Sequence, residues 1–98
     1  MKFLVQGYDG TDAKAYERRA DAREQHLENL KKSQQSGKIL FAAAMLNQES
    51  KMCGSTLIME FENREELDSW LEKEPYVLGK VWEKIEITEC KVPPSFLN

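Results

Sequence analysis

The succession of hydrophobic periods is what most constrains the fold of this chain. Residues 2–8 set Phe3, Val5 and Gly7 on one face and Leu4, Gln6 and Tyr8 on the other, the alternation of a strand. Asp9-Gly10-Thr11-Asp12 reads as a turn, with Thr11 or Asp12 placed to cap a helix. That helix is predicted to run to about Ser36, where Gly37 can take the left-handed conformation that closes it. Ile39 to Leu46 and Ser55 to Phe61 are apolar runs suited to strands, and the polar segment Asn47-Gln48-Glu49-Ser50-Lys51 between them reads as a hairpin loop. Asn63-Arg64-Glu65-Glu66 has the form of a capping box, with Asn63 as N-cap and Glu66 reaching back. The helix it opens carries Leu67, Trp70 and Leu71 inward and ends near Glu74, because Pro75 disfavours helical geometry in the residue before it. A last strand covers about Trp82 to Cys90, with Ile85 and Ile87 on one face, and Pro93-Pro94 ends it.

The order β-α-β-β-α-β is that of a ferredoxin-like α+β fold, in which an antiparallel sheet carries both helices on one face. The 98 residues make a single domain, residues 1–98, and a hydrophobic fraction of 41% is enough to fold it. A chain this short buries only roughly 60–65% of the surface its unfolded form exposes. In the third strand Thr56, Ile58 and Glu60 share one face, and Leu57, Met59 and Phe61 share the other; Leu4 likewise lies opposite Phe3 and Val5. Two helices cover one face only, so the apolar residues of the other need a cover. The sheet of a second subunit is the simplest one, and a homodimer is expected.

Charge narrows the partners. With 14 basic and 17 acidic side chains the net charge is −3, and no basic run is longer than a pair such as Lys31-Lys32. Nucleic acid is therefore not expected as a partner, since phosphate binding needs a basic surface. No apolar stretch approaches a membrane span, and the N-terminus turns polar at once, unlike a signal peptide. Cys53 and Cys90 read as reduced thiols in strands, and a cytoplasmic location is expected.

Few residues here can do chemistry. At 100° per residue, Tyr16, Ala20, Leu27 and Leu30 form an apolar stripe on the first helix, with Arg23 inside it. A cation in such a stripe needs a carboxylate, a carbonyl or a ligand, although a structural ion pair is the commoner outcome. His26 falls about 40° beyond Leu30, on the edge shared with Arg19, where it can look into a cleft between helix and sheet. A histidine on a helix flank is more often solvated than catalytic. One histidine and two distant cysteines give no metal-ligand spacing, and no Gly-rich phosphate loop or nucleophile elbow is present, so neither metal nor cofactor is expected. Gly54-Ser55, at the start of the third strand, can offer a hydroxyl to a ligand.

Arg23-Glu24-Gln25-His26-Leu27, with Leu30 three positions on, resembles the signature of the YciI family of small ferredoxin-like proteins. Gly54-Ser55-Thr56, Phe61-Glu62-Asn63 and Glu74-Pro75-Tyr76-Val77 agree in order and spacing, so the resemblance runs from Phe3 to Lys91. It implies a dimer formed through the open face of the sheet and an active site built on a histidine–aspartate pair. The histidine corresponds to His26. The aspartate belongs to an Asp-Pro-Tyr motif, and the matching residue here is Glu74, whose extra methylene moves the carboxylate by roughly 1.5 Å. A second departure is Phe41-Ala42-Ala43-Ala44, where many relatives carry a glycine.

A carboxylate bonded to one imidazole nitrogen fixes the tautomer and raises the basicity of the other. On the resemblance, His26 acts as base and Glu74 as orienter in proton transfer to and from a small organic substrate: isomerisation, or elimination from a lactone or an oxidised ring. Arg23 anchors an anionic group or stabilises developing charge, and Ser55 and Tyr76 are hydrogen-bond donors. The alternative is a non-catalytic dimer that binds a small ligand or another protein, with His26 and Arg23 as contacts only.

Overall fold

The computed structural model describes residues 1–97; Asn98, the last residue of the expected 1–98 domain, lies outside the described residues. The elements are β1 (Lys2–Asp9), α1 (Ala15–Gln35), β2 (Ile39–Leu46), β3 (Met52–Glu60), α2 (Arg64–Lys73), α3 (Pro75–Leu78) and β4 (Trp82–Cys90), followed by a 3₁₀ turn at Pro94–Phe96. The sheet order is β2-β3-β1-β4 and every neighbouring pair is antiparallel. This is the ferredoxin-like α+β topology.

Register sorts the side chains between the two faces. Phe3 pairs with Met59 and Val5 with Leu57 and Ile87, and these residues point toward the helices. Phe3, Val5, Leu57 and Met59 are buried with Ile39, Phe61, Leu67, Leu71, Val81 and Trp82, and Ile87 packs against them half-buried. On the other face Leu4 pairs with Ile58, which pairs in turn with Phe41, and among the described residues none of the three is fully buried. The outer strand β2 is the least covered: Phe41 is 60% exposed.

Local chemistry accounts for most element ends. Asn63 caps α2 by accepting from Glu66 N at 2.9 Å. The Glu66 side chain accepts from Glu62 N at 3.1 Å, one residue further back than a capping box predicts. Gly37 has φ 77°, the left-handed conformation expected after α1. Asn47 folds the β2–β3 loop by accepting from the backbone N–H groups of Glu49 and Lys51. The loop is therefore short and β3 begins at Met52, so Ser55 lies inside the strand and not at its start.

α1 departs from expectation at two points. It begins at Ala15, with Lys14 as an N-cap that makes no side-chain bond. Asp12 is instead occupied by Arg18, whose Nη1 and Nη2 donate to it at 2.9 and 2.6 Å and hold its carboxyl well below its usual pKa. The second departure concerns the buried face, which holds Ala15, Arg19, His26 and Ser33, with Ala22 and Leu30 partly buried. Tyr16 is 59% exposed, Leu27 46%, and Ala20 and Arg23 also lie at the surface. The helix is rotated away from its most apolar stripe because the sheet and α3 offer polar partners to Arg19 and His26. Ser33 closes the same face by accepting from Trp70 Nε1 at 2.9 Å, which ties α1 to α2.

Cys53 and Cys90 are both free. Cys90 lies opposite Lys2 at one end of β1, and Cys53 adjoins Gly54, which lies opposite Tyr8 at the other. At about 3.4 Å per residue the two ends are roughly 20 Å apart, far beyond disulfide reach. No helix among the described residues is long and apolar enough to cross a membrane.

Candidate active site

Glu74 sits at the joint between two helices. Pro75 ends α2 and starts α3, and Glu74 serves as C-cap of the first and N-cap of the second, with extended backbone at φ −71°, ψ 127°. Its Oε1 folds back to accept from Tyr76 N at 3.1 Å. The same oxygen meets His26 Nδ1, and Oε2 accepts from Asn29 Nδ2. Glu74 has no exposed surface and His26 almost none. Three donors thus converge on one buried carboxylate, the arrangement that burying such a group requires. With Nδ1–H directed at Glu74, the lone pair of the neutral imidazole is left on Nε2.

Aromatic rings fix the imidazole plane. His26 stacks on Tyr76 with centroids 3.7 Å apart and planes 6° from parallel. Trp82 stands edge-on to both rings, at 5.8 Å from His26 and 5.7 Å from Tyr76. Trp82 gains its place from Gly7: a Cβ at residue 7 would fall inside the indole ring's contact distance, so only glycine lets the ring lie across β1.

A second polar cluster adjoins the first. Arg19, on the same helix face as His26 and seven residues before it, donates from Nε to Asp9 at 2.6 Å and from Nη2 to Asp9 at 3.2 Å. Both partners are buried. Its Nη2 also donates to Ser55 Oγ at 3.1 Å, its Nη1 lies 3.5 Å from the Tyr76 hydroxyl, and its guanidinium carbon is 4.8 Å from the centre of the Tyr76 ring. Trp82 Nε1 donates to the same Ser55 Oγ at 3.2 Å. Burial pushes the Tyr76 phenol above its ordinary pKa, against an opposing pull from Arg19 and Arg23, so it holds its proton through the neutral range.

Both clusters face a cavity of about 280 Å³ between α1 and the β2–β3 half of the sheet. His26, Tyr76, Ser55 and Arg19 are its buried wall, Arg23 and Leu27 its exposed rim, and Ala42 to Ala44 its β2 side. Of the residues singled out from sequence, His26, Arg23, Ser55 and Tyr76 line this one cavity, and Glu74 lies behind His26. Arg23 is not in a buried stripe. It makes no ion pair among the described residues and stands at the cavity mouth, while the buried cation is Arg19. Tyr76 contributes its ring and its backbone N–H to the dyad as well as a hydroxyl to the cavity. Sequence reasoning missed Asp9, Arg19, Asn29 and Trp82 as members of the site. The spacing of Arg19 and Asn29 from His26, seven before and three after, was the available signal. Among the described residues no group of three or more His, Cys, Asp or Glu side chains is placed to hold a metal.

Fold and site together define a small α+β domain with a buried histidine–carboxylate pair on the wall of an open cavity. The chain belongs to the YCII-related family, whose domain matches residues 1–91. The protein YciI of Escherichia coli is 30% identical over 97 residues, which cover 93% of this chain and 97% of that protein. An uncharacterized protein of Haemophilus influenzae is 33% identical over 81 residues, covering 76% of this chain and 83% of its own length. Among solved structures, 5-chloro-2-hydroxyhydroquinone dehydrochlorinase (TftG) from Burkholderia phenoliruptrix, in complex with 2,5-dihydroxybenzoquinone, matches with a TM-score of 0.81 and 25% identity. That match covers 97% of this chain and 98% of the enzyme.

Proposed function

We propose that this protein is a small acid–base enzyme in which His26 Nε2 removes a proton from a small, anionic, ring-shaped substrate and Glu74 holds the imidazole in the tautomer that allows it. The observation that carries the proposal is the placement of His26: Nδ1 against a buried carboxylate, with the ring on the wall of a cavity. A base aligned in this way contributes about 10²–10⁴-fold to a proton transfer. Elimination or isomerisation follows once the proton is gone, and the likeness to a dehydrochlorinase supports elimination from a hydroxylated ring. Arg23, a cation at the cavity mouth without a carboxylate partner among the described residues, suits a negatively charged ring substituent.

The functional unit we propose is a homodimer, formed through the sheet face that carries Leu4, Phe41 and Ile58. The free thiols suit a reducing compartment, and we propose the cytoplasm.

The test is turnover of small lactones and of hydroxylated or halogenated hydroquinones by wild type, His26→Ala and Glu74→Gln. The expected result is turnover by wild type that His26→Ala abolishes while binding is kept, with Glu74→Gln intermediate. Binding of these compounds with no turnover of any would establish a ligand-binding module instead.

A further inference from the structure

A hydroxyl group has one proton to donate and two lone pairs to accept with. Both lone pairs of Ser55 are occupied: Arg19 Nη2 donates from 3.1 Å and Trp82 Nε1 from 3.2 Å. Guanidinium and indole nitrogens accept nothing, so the Ser55 proton has no use toward either of them. The hydroxyl donates to no atom among the described residues, is almost fully buried, and lines the cavity. Tyr76 is arranged in a similar, looser way, with Arg19 Nη1 at 3.5 Å from its oxygen and its own proton undirected. One guanidinium therefore turns two hydroxyls the same way round, oxygen toward itself and proton toward the space beyond. Arg19 is itself held by Asp9, which balances its charge and prevents it from swinging out to meet a ligand.

We propose that Ser55, with Tyr76 beside it, is the donor site for the substrate oxygen that becomes negative during the reaction, and that Arg19 is the positioning residue that aims both hydroxyls. The assignment rests on the general-base role of His26. In a ring carrying a carbonyl, the substrate C–H bond breaks and its proton forms an N–H bond at Nε2. The electron pair left behind moves through the conjugated system onto the carbonyl oxygen, giving an enolate that accepts from Ser55. Isomerisation is completed when Nε2–H returns the proton to a different carbon, and elimination when the pair expels a leaving group as its anion. A donor already polarised by a cation and an indole binds such an oxygen more tightly than it binds a neutral carbonyl. The substrate class is thereby narrowed to compounds with a carbonyl or phenolic oxygen conjugated to the site of proton loss. Arg23 and Arg19 divide the work: the first attracts the charged ligand, and the second, held by Asp9, aims the hydroxyls that receive it.

The experiment measures the pKa of 4-nitrophenol bound to the protein, read from its visible absorbance. Donation to the phenolate lowers that pKa below the solution value in wild type. Ser55→Ala is expected to return it by about one unit, a tenfold loss of selectivity for the anion, and Ser55→Thr, which restores a hydroxyl, to recover most of the shift. Ser55→Cys, close in shape to serine but a weaker donor, keeps the test decisive if the alanine variant does not fold, and is expected to shift the pKa in the same direction by less. An unchanged pKa in Ser55→Ala or Ser55→Cys, with His26-dependent turnover intact, overturns the assignment and leaves the general-base role standing. Failure of wild type to bind the phenolate also overturns it, and turnover by wild type and His26→Ala then decides the base separately.

Discussion

Glu74 offers the sharpest test of how the fold and the site depend on one another. In Glu74→Ala the imidazole Nδ1–H, the Tyr76 backbone N–H and the Asn29 amide all lose their acceptor, at a position with no exposed surface. Asn29 is partly exposed and can turn to water; the other two donors cannot. Each buried donor left unpaired costs about 1–3 kcal/mol, so the variant loses about 2–6 kcal/mol. A domain of this kind holds about 5–15 kcal/mol in all, and each kcal/mol moves the melting temperature by about 4–8 °C at this chain length. A fall of at least about 8 °C is expected. Glu74→Gln behaves differently. Its amide oxygen can take the place of Oε1, and its NH₂ can face Asn29 once that side chain flips to present oxygen. The bonds survive without their charge, for a loss of about 1–3 kcal/mol. The assay is thermal and urea unfolding of the three proteins, with wild type above Gln and Gln above Ala. A Glu74→Ala protein within about 0.5 kcal/mol of wild type, the range of an uninvolved surface residue, would refute the reasoning.

Gly7→Ala is expected to push Trp82 off β1, destabilise the protein by about 1–3 kcal/mol and shift the tryptophan emission to the red, because the added Cβ has no room beneath the indole. An unchanged emission spectrum would contradict the packing. Ile58→Glu, at the centre of the half-buried outer sheet face, is expected to leave the fold intact and convert the proposed dimer to a monomer in sedimentation equilibrium; a mass unchanged from wild type would rule that face out as the interface. Tyr76 gives a pH dependence. Its folded pKa is raised above the unfolded value near 10.0, chiefly by burial, so the stability tied to its proton is complete below pH 10 and is lost as pH rises through the folded pKa. Tyr76→Phe is expected to flatten that alkaline decline in unfolding free energy, and an equal slope in the two proteins would contradict it.

Much of the fold was legible because its signals are local. Alternation along residues 2–8, the Asn63 cap, Gly37 and Pro75 each act within a few residues, and the elements they mark are present. The rotation of α1 was not legible in the same way. Tyr16, Ala20 and Leu27 make the more apolar stripe, yet Arg19 and His26 are buried, because Asp9, Ser55 and Glu74 meet them from distant parts of the chain. Periodicity counts apolar side chains and is blind to a polar group whose partner lies 48 positions away. The same blindness exchanged the roles of the two arginines: Arg23 falls inside the helical stripe of Tyr16, Ala20, Leu27 and Leu30, and Arg19 is the one buried. Glu74 was reached through the family resemblance alone. The structure shows how the longer side chain is accommodated: it folds back over the first turn of α3 while still meeting His26.

The tautomer of His26 is the most direct measure of the central claim. The chain has a single histidine, so the ring nitrogens can be assigned without ambiguity by long-range proton–nitrogen correlation on ¹⁵N-labelled protein. In the neutral imidazole the proton is expected on Nδ1, held by Glu74, with Nε2 bare and able to accept a proton from a substrate. A neutral ring carrying its proton on Nε2, with Nδ1 bare against the carboxylate, would remove the base from the cavity and contradict the account.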